Sequence, residues 1–600
     1  MIRNRFATIF CAAVLALSSA SAAAANESPQ ELAQLFDAFF QENLEMNPIL
    51  ATSIGDLRYN DQLPNTLSQE FIEKQKEFHQ RWLKQIRAVS RAELTGQDRL
   101  SYDIFVYDRE QALEGFEYPG ELIPLNQFFS FPSFIATMGS GQSIQPFKET
   151  KHYDDWMSRM DKVIVNMDQA IENMRRGIKK GVVQPRPIME KVLPQLSAHV
   201  VDDVEDSVFM GPVKNFPESV SEADRKRLTR AYREMVEEKV IPAYKRLHDF
   251  VRDEYLPETR ETVGWSELPD GEDWYNFRIE TFTTTDLTAD EIHDFGLNEV
   301  ARIRGEMEGV MEQVGFEGTL EDFFAHLKSS DEFYYDDEEA LLQGYRDLQE
   351  KVNRLLPKLF DIQPKTDYEV RAIEAFRAES SAGAMYQRGT PDGSRPGVFY
   401  VNTFNLKAQP KYGMETLSIH EASPGHHFQI SIQQEIEDLP AFRRFGGYSA
   451  FSEGWALYAE SIGKEMGMFT DPYQYFGRLS DEMLRAMRLV VDTGLHAKGW
   501  SREKAIQYML DNSDMAESDV VAEVERYIAI PGQALAYKVG QRIIRNLRNE
   551  AEEELGEAFD VRDFHRQVLV DGAMPLDVLS TKIREWIAAE KANAVAEAAP

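Results

Sequence analysis

Cysteine and basic side chains are scarce in this chain. Its 600 residues contain a single cysteine, Cys11, and 66 lysines and arginines against 101 aspartates and glutamates, which gives a formal net charge of −35. A disulfide bond within the chain is excluded, because it would need a second cysteine. The acidic surplus excludes a protein that coats nucleic acid, whose surface must be basic. The fold must therefore be stabilised by a large apolar core.

Long apolar runs are also missing, apart from one at the N-terminus. A helix that crosses a membrane needs about 20 consecutive apolar residues, and the run Phe6–Leu17 is shorter. Two arginines precede this run, and a tract of small residues follows it up to Ala25. This order is typical of a secretory signal peptide, and cleavage after Ala22 or after Ala25 satisfies its rules equally. We therefore expect residues 1–25 to be removed and the protein to be periplasmic or secreted.

The spacing of apolar residues predicts a mainly α-helical protein. From Glu31 onward, apolar side chains recur every three or four residues in most segments, which is the period of a helix with one buried face. A capping box, Thr288 with Glu291, predicts a helix that begins there and continues to about Met311. We expect a helical N-terminal region over 26–364, a region that carries the chemistry over 365–591 and a disordered tail over 592–600.

Strand patterns are few, and the clearest is Gly397–Asn402, which follows the turn-rich segment Thr390–Pro396. Within it, Val398–Asn402 would be either the edge strand on which an extended peptide pairs its backbone or an ordinary hairpin strand. Arg395, in the preceding loop, would be either a ligand for a substrate carboxylate or a surface arginine without a specific contact.

Histidine is also scarce, with 11 in the chain, yet three histidines lie within one stretch of eight residues. In the zinc-binding pattern His-Glu-x-x-His, two histidines one helical turn apart bind one metal and the glutamate activates water. Here Pro424 and Gly425 lengthen the spacing, so that on an unbroken helix position 426 points about 240° away from His420. Proline clashes with the carbonyl four residues earlier, and glycine permits the backbone to bulge. We therefore predict that His420 and His426 bind a metal, with His427 as the competing second ligand.

Glu453 is the predicted third ligand, because it lies in the next helical segment, Phe451–Glu460. Two histidines, one glutamate and an open position for water are typical of catalytic rather than structural zinc. Glu421 would then be the general base that activates water, and Glu460, two turns after Glu453, would orient a ligand histidine. The same ligands would also accept other divalent ions. The alternative is a helix turn with surface histidines that bind no metal.

Four strings in the sequence resemble a large bacterial family. They are His-Glu-Ala-Ser-Pro-Gly-His-His at 420–427, Glu-Gly-Trp-Ala-Leu-Tyr-Ala-Glu at 453–460, Arg-Leu-Val-Val-Asp-Thr-Gly-Leu-His at 488–496 and Pro-Gly-Gln-Ala-Leu-Ala-Tyr-Lys-Val-Gly at 531–540. Members of this family are mostly catalogued as a domain of unknown function and are regarded as similar to zinc peptidases. The resemblance implies a mainly helical, gluzincin-like metallohydrolase with one zinc ion and a deep internal channel. It departs from the ordinary zincin pattern at the inserted Pro-Gly, and it does not define a substrate.

Tyr537 and His496 are the candidates for stabilising the oxyanion of a tetrahedral intermediate. Helical zinc peptidases commonly place a tyrosine or histidine for this role well downstream of the zinc helix. Most tyrosines bury their rings for structural reasons, so Tyr537 is favoured only by its motif. Asp492, in an Asp-Thr-Gly triplet, resembles an aspartic-protease site, but such an enzyme needs a second triplet or a symmetric dimer in a β-rich body. The triplet is therefore expected to end a helix near the site.

These patterns lead to three hypotheses about function. The first is a periplasmic zinc metallopeptidase that hydrolyses short or unfolded peptides, with Glu421 as the base. The second is a zinc amidase that acts on a non-peptide or cell-wall-derived amide. The third is a protein that binds peptides in a metal-dependent manner without catalysis. The presence of Glu421 argues against the third hypothesis, because a pure binding protein needs no base beside its metal ligands.

Overall fold

The computed structural model describes residues 30–597, except 129, 375–377, 379–382 and 391–394. The described part is mainly α-helical and contains one small three-stranded sheet, which confirms the predicted fold class. The predicted signal peptide and the last residues of the predicted tail lie outside the described residues. Of the helices in the described part, none is both long and apolar enough to span a membrane.

The N-terminal half is built from helices that enclose a large apolar core around Trp156 and Tyr244. The helices of this half are 30–46, Pro48–Ser53, Gln69–Ile86, Gly96–Gly115, Phe131–Gly139, Thr150–Lys180, Arg186–Ser197, Gly211–Lys214, Glu222–Met235, Ile241–Phe250, Gly271–Thr283, Ala289–Gln313, Leu320–Ser329 and Glu338–Leu355. The predicted capping box is present, because Thr288 and Glu291 exchange side-chain and backbone hydrogen bonds at the start of Ala289–Gln313. The division of the chain at residue 364 stays a prediction.

The C-terminal half contains the helices on which the predicted metal ligands lie. All the helices of this half, those with ligands and those without, are Met414–Glu421, His426–Gln434, Ala441–Arg444, Ser449–Ser461, Gly463–Met466, Pro472–Ala497, Arg502–Asn512, Glu517–Ala529, Ala536–Leu555, Val561–Leu569 and Leu576–Glu597. A second apolar core, with Phe360, Phe428 and Trp455 among its members, lies beneath the helices that carry the ligands.

The sheet consists of β1 (Tyr368–Ala372), β2 (Ala384–Gln387) and β3 (Gly397–Val401), in the order β1-β3-β2. β3 pairs in parallel with β1 and antiparallel with β2. Of the two interpretations of Val398–Asn402, the edge strand is therefore wrong, since β3 is the central strand and is buried along its whole length. Its antiparallel pairing with β2 agrees with the other interpretation, a hairpin strand. β1 and β2 lie at the two edges of the sheet. The sequence did not reveal this, because the alternation in Tyr368–Ala372 can predict a strand but not which strand it pairs with.

Candidate metal centre

Three helices carry the residues of the predicted metal centre. Met414–Glu421, the first histidine helix, ends directly after His420, and His426–Gln434, the second histidine helix, begins with His426. Ser449–Ser461, the glutamate helix, packs against both and carries Glu453. The inserted residues thus end one helix and begin another, instead of bulging out of a continuous helix.

Gly425 permits this sharp turn between the two histidine helices. The backbone at Gly425 crosses the end of the first histidine helix so closely that a Cβ atom there would lie 2.0 Å from the carbonyl oxygen of His420 and 2.3 Å from that of Ile419. Any side chain at this position would have to displace backbone atoms, since real Cβ contacts are not shorter than about 3 Å. The turn therefore requires glycine, and it brings His426 back towards His420.

The structure brings His420, His426 and Glu453 together. One ligating atom from each of these residues lies within 4.8 Å of the other two. Oε2 of Glu453 is 3.6 Å from Nε2 of His420 and 3.4 Å from Nε2 of His426. Two atoms that bind one tetrahedral zinc at about 2.1 Å lie roughly 3.4 Å apart. The spacing of these three atoms is therefore close to that of ligands around a single zinc ion.

Hydrogen bonding and charge also fit a cation between these three residues. Oε2 of Glu453 is buried, and no donor in the described part of the chain makes a hydrogen bond of good geometry to it. Burial alone would raise the pKa of Glu453, but the imidazoles of His426 and His420 lower it well below its usual range. An unpaired buried carboxylate oxygen is costly, and a metal ion would satisfy it. The donor set, two imidazoles and one carboxylate, is one that zinc prefers.

The centre is open on one side. The side chain of His420 is 5% exposed, whereas those of His426 and Glu453 are 14% and 23% exposed. A structural zinc site is closed by four protein ligands, while a catalytic site keeps an accessible position. Of the described residues, these three are the only group of metal-ligating side chains at such spacing. The arrangement would therefore suit a metal held by three protein ligands at an accessible position.

Glu460 contacts His420 at the ring nitrogen that is not directed at Glu453. Its Oε1 lies 2.7 Å from Nδ1 of His420, so Nε2 of His420 faces Glu453. Burial by itself would lower the pKa of His420, but the carboxylates of Glu453 and Glu460 raise it to about 10. The sequence-based expectation that Glu460 orients a ligand histidine agrees with this contact.

Glu421, the predicted base, is held by the edge strand. The backbone N–H of Tyr386 in β2 donates a hydrogen bond of 3.0 Å to Oε2 of Glu421. Glu421 directly follows His420 and is half-buried. Sequence reasoning did not identify the contribution of Tyr386, because a backbone donor leaves no signal in the residue types.

His427, the competing second ligand, does not belong to the group of ligating residues. Its Nδ1 lies 3.0 Å from the hydroxyl of Tyr386 and 3.3 Å from that of Ser431, and its ring packs on that of Tyr368. Burial lowers the pKa of His427 to about 4, so the ring is neutral at neutral pH. The structure therefore favours His426 over His427 as the second ligand.

Tyr537 lies near the start of Ala536–Leu555, which crosses the glutamate helix very closely. The contact point is formed by Gly454 and Gly540, and a Cβ atom on Gly540 would lie 2.0 Å from the carbonyl oxygen of Ala450. Tyr537 lies one turn before Gly540, and Glu453 directly precedes Gly454. The crossing of the two glycines therefore brings the segment of Tyr537 close to the segment of Glu453. The guanidinium of Arg488 lies over the Tyr537 ring, 4.7 Å from its centroid.

His496, the other candidate for the oxyanion, has a different environment. It is fully buried in Pro472–Ala497, its Nδ1 accepts a hydrogen bond of 3.2 Å from the backbone N–H of Trp265, and its Nε2 lies 3.0 Å from the carbonyl oxygen of Tyr527. Both ring nitrogens are therefore engaged by backbone groups. The expectation of a catalytic His496 does not fit this environment, which is that of a structural core histidine.

In the described part of the chain, Asp492 has no second carboxylate as a hydrogen-bond partner. Its Asp-Thr-Gly triplet lies inside Pro472–Ala497 and does not end that helix, which differs from the expectation. Asp492 is buried within Pro472–Ala497, where it accepts hydrogen bonds of 2.6 Å from the hydroxyl of Tyr275 and 3.1 Å from the backbone N–H of Gly532. Burial raises the pKa of Asp492 to about 7. Its contacts tie three segments of the fold together.

Comparisons with known proteins give a family and a fold. Residues 48–583 match the sequence model of a protein family, which is described as "Bacterial protein of unknown function (DUF885)". The chain is similar to the crystal structure of a "putative lipoprotein from Colwellia psychrerythraea", with a TM-score of 0.84 and 29% identity over 94% of this chain and 99% of that one.

Two further solved structures are less similar to this chain than the Colwellia protein is. A "putative lipoprotein of unknown function from Shewanella oneidensis" has a TM-score of 0.74 and 17% identity over 92% of this chain and 99% of that one, which shows a shared fold. A "putative oligoendopeptidase F from Bacillus anthracis" has a TM-score of 0.26 and 12% identity over 86% and 96% of the two chains, too low to carry an argument. A search of curated proteins gives no significant match.

Proposed function

The chain belongs to the DUF885 family of bacterial proteins of unknown function, and from that premise we propose that it is a zinc-dependent peptidase. The observation that carries the proposal is the convergence of Glu453 with Nε2 of His420 and Nε2 of His426. Glu421 adjoins this group in the sequence and supplies a carboxylate that is not one of the three ligands. Three ligands, an open side and a separate carboxylate are the parts that hydrolysis by a zinc enzyme needs.

Zinc held by His420, His426 and Glu453 would supply Lewis acidity for a water molecule and for the carbonyl of the scissile amide. Glu421 accepts a proton from the water as its oxygen bonds to the carbonyl carbon, and later delivers that proton to the leaving nitrogen as the C–N bond breaks. The backbone N–H of Tyr386 keeps the Glu421 carboxylate in place during both transfers.

Tyr537 is the remaining candidate for stabilising the oxyanion. Its hydroxyl would donate a hydrogen bond to the negative oxygen of the tetrahedral species. The helix crossing at Gly454 and Gly540 supports this role, because it brings the segment of Tyr537 beside that of Glu453. The guanidinium of Arg488 lies over one face of the ring.

A peptide is the substrate class that the surroundings of the base favour. β2 lies at the edge of the sheet, and its Tyr386 contacts Glu421 directly. An extended peptide that lies along a sheet edge exposes its amide groups at regular intervals. The edge strand beside the base therefore supports hydrolysis of peptide bonds in short or unfolded chains.

The experiment that tests the function compares the zinc-loaded protein with protein stripped of metal by a chelator. Both are incubated with a peptide library and, separately, with cell-wall muropeptides, and products are identified by mass spectrometry. We expect peptide cleavage that is lost on stripping and restored by zinc. Cleavage of muropeptides alone would support an amidase instead, and peptide binding without any product would support a non-catalytic binding protein.

A further inference from the structure

The glutamate helix contacts the metal centre through Trp455, in addition to Glu453 and Glu460. The indole Nε1–H of Trp455 donates a hydrogen bond of 2.7 Å to the carbonyl oxygen of Pro424. Trp455 is fully buried. Pro424 belongs to the turn between the two histidine helices, so the helix that supplies one predicted ligand also holds the turn that places another.

This contact matters because His420 and His426 lie on separate helices. Their relative position is set by the four residues between the helices, 422–425, and not by the regular geometry of one helix. The carbonyl of Pro424 belongs to the peptide group that joins it to Gly425, next to His426. A hydrogen bond to this carbonyl fixes the orientation of the peptide group. Gly425 has no free space on the side of His420, so the turn has little room for another arrangement.

The indole itself is fixed by its surroundings. The ring of Trp455 contacts those of Phe360, Tyr458 and His565, with centroid separations of 6.2, 5.6 and 5.7 Å. The imidazole of His565 is in turn held at both nitrogens, 2.8 Å from the carbonyl oxygen of Leu359 and 2.8 Å from the hydroxyl of Tyr458. A donor that cannot rotate holds its acceptor in one place.

We propose that Trp455 is a positioning residue of the metal centre, whose indole N–H fixes the 422–425 turn and thereby the place of His426 relative to His420 and Glu453. The proposal rests on the proposed function, since it assigns a role towards the same metal. Replacing a residue that supports a metal ligand without binding the metal itself typically lowers metal affinity roughly 10- to 100-fold. A tryptophan that served only to fill the core would have no such effect on the metal.

The chain offers a matched control for this distinction. Trp156 is also fully buried, in the N-terminal core, but its Nε1 has no hydrogen-bond partner among the described residues. Trp156→Phe and Trp455→Phe therefore remove a similar volume from a buried site, and only the second removes a hydrogen bond to the turn.

The test measures metal binding by the full chain of the wild type and both variants. The zinc dissociation constant is determined by competition with a chelator, and the visible absorption of the cobalt(II)-substituted protein reports the ligand geometry. We expect Trp455→Phe to weaken zinc binding about 10-fold or more and to alter the cobalt spectrum. Trp156→Phe should leave both unchanged, although both variants lose stability towards urea.

Equal metal affinity and equal cobalt spectra in the two variants would overturn the role of Trp455. If Trp455→Phe does not fold, benzothienylalanine is incorporated at position 455, because it keeps the shape of indole without the N–H, and the same result is expected. A wild type that binds metal but cleaves no peptide would refute the proposed function, while the metal affinities would still decide the role of Trp455. A wild type that binds no metal would refute both.

Discussion

Oε1 of Glu460 and Nδ1 of His420 are 2.7 Å apart in the interior of the protein. The side chains of Glu460 and His420 are 3% and 5% exposed, so this contact is shielded from water. It determines which nitrogen of His420 is available to a metal, because Nδ1 is occupied and Nε2 faces Glu453. A carboxylate in this position also increases the basicity of the imidazole as a ligand.

Replacing Glu460 by glutamine should weaken metal binding without removing a ligand. The variant Glu460→Gln keeps the size of the side chain and loses its charge, so we expect an increase of up to about 10-fold in the zinc dissociation constant. Chelator competition measures this change. The control is Glu465→Gln, on the following short helix, whose side chain is 41% exposed and pairs with Arg548. A shift of the same size in the control would contradict the role of Glu460.

The turn between the histidine helices should not accept a side chain at Gly425. In Gly425→Ala the new Cβ would approach the carbonyl oxygen of His420 to 2.0 Å, so the turn must open and move His426. We expect loss of stoichiometric zinc and a decrease of about 1–3 kcal/mol in the free energy of unfolding, measured by elemental analysis and urea unfolding.

The control for this change is Gly305→Ala, in the exposed face of Ala289–Gln313, where a Cβ atom would meet nothing within 4 Å. Alanine there should raise the free energy of unfolding by up to about 1 kcal/mol, because alanine favours the helix over glycine. Metal content should not change. A Gly425→Ala protein that retains one zinc would show that the turn is less constrained than its geometry indicates.

Glu421→Gln should separate catalysis from metal binding. The amide keeps the hydrogen bond from the backbone N–H of Tyr386, since its oxygen still accepts, but it cannot take a proton from water. Loss of a general base lowers turnover by roughly 10²- to 10⁴-fold. Peptide hydrolysis and zinc content are measured on the same preparation, and we expect full zinc with little turnover. Wild-type turnover in this variant would remove Glu421 from the mechanism.

The buried histidine His565 predicts a specific pH dependence of stability. Burial lowers its pKa to about 3 in the folded protein, whereas the unfolded chain has the ordinary value of about 6.5. Below pH 6.5 the unfolded state therefore binds a proton that the folded state does not, and stability falls as pH decreases towards 3. The contribution is about 1.4 kcal/mol per pH unit for one proton.

Urea unfolding of the wild type and of His565→Gln at several pH values between 4 and 7 tests this prediction. The variant lacks the titrating ring, so its free energy of unfolding should depend less steeply on pH than that of the wild type. Identical slopes in the two proteins would show that His565 does not carry the expected linkage.

The sequence predicted which side chains converge better than it predicted their surroundings. The convergence of His420, His426 and Glu453 could be predicted because the residue types and their spacing match a metal-binding pattern, once Pro424 and Gly425 are recognised as a break. That they bind a metal stays a prediction. The mainly α-helical class followed from the period of the apolar residues. These are local properties that the order of residues records directly.

The features that were missed depend on contacts between distant segments. His496 looked catalytic, but its nitrogens are taken by the backbones of Trp265 and Tyr527, which lie far away in the sequence. The position of β3 in the centre of the sheet depends on β1, and the restraint on Glu421 comes from a backbone N–H in β2. Residue types alone carry no record of such contacts.

The most direct test of the metal centre compares the zinc content of the wild type with that of His426→Ala and His427→Ala, by elemental analysis of purified protein. We expect about one zinc per chain in the wild type and in His427→Ala, and little in His426→Ala, because Nε2 of His426 lies 3.4 Å from Oε2 of Glu453 while Nδ1 of His427 is bonded to Tyr386. Zinc retained in His426→Ala and lost in His427→Ala, or absent from the wild type, would contradict this expectation.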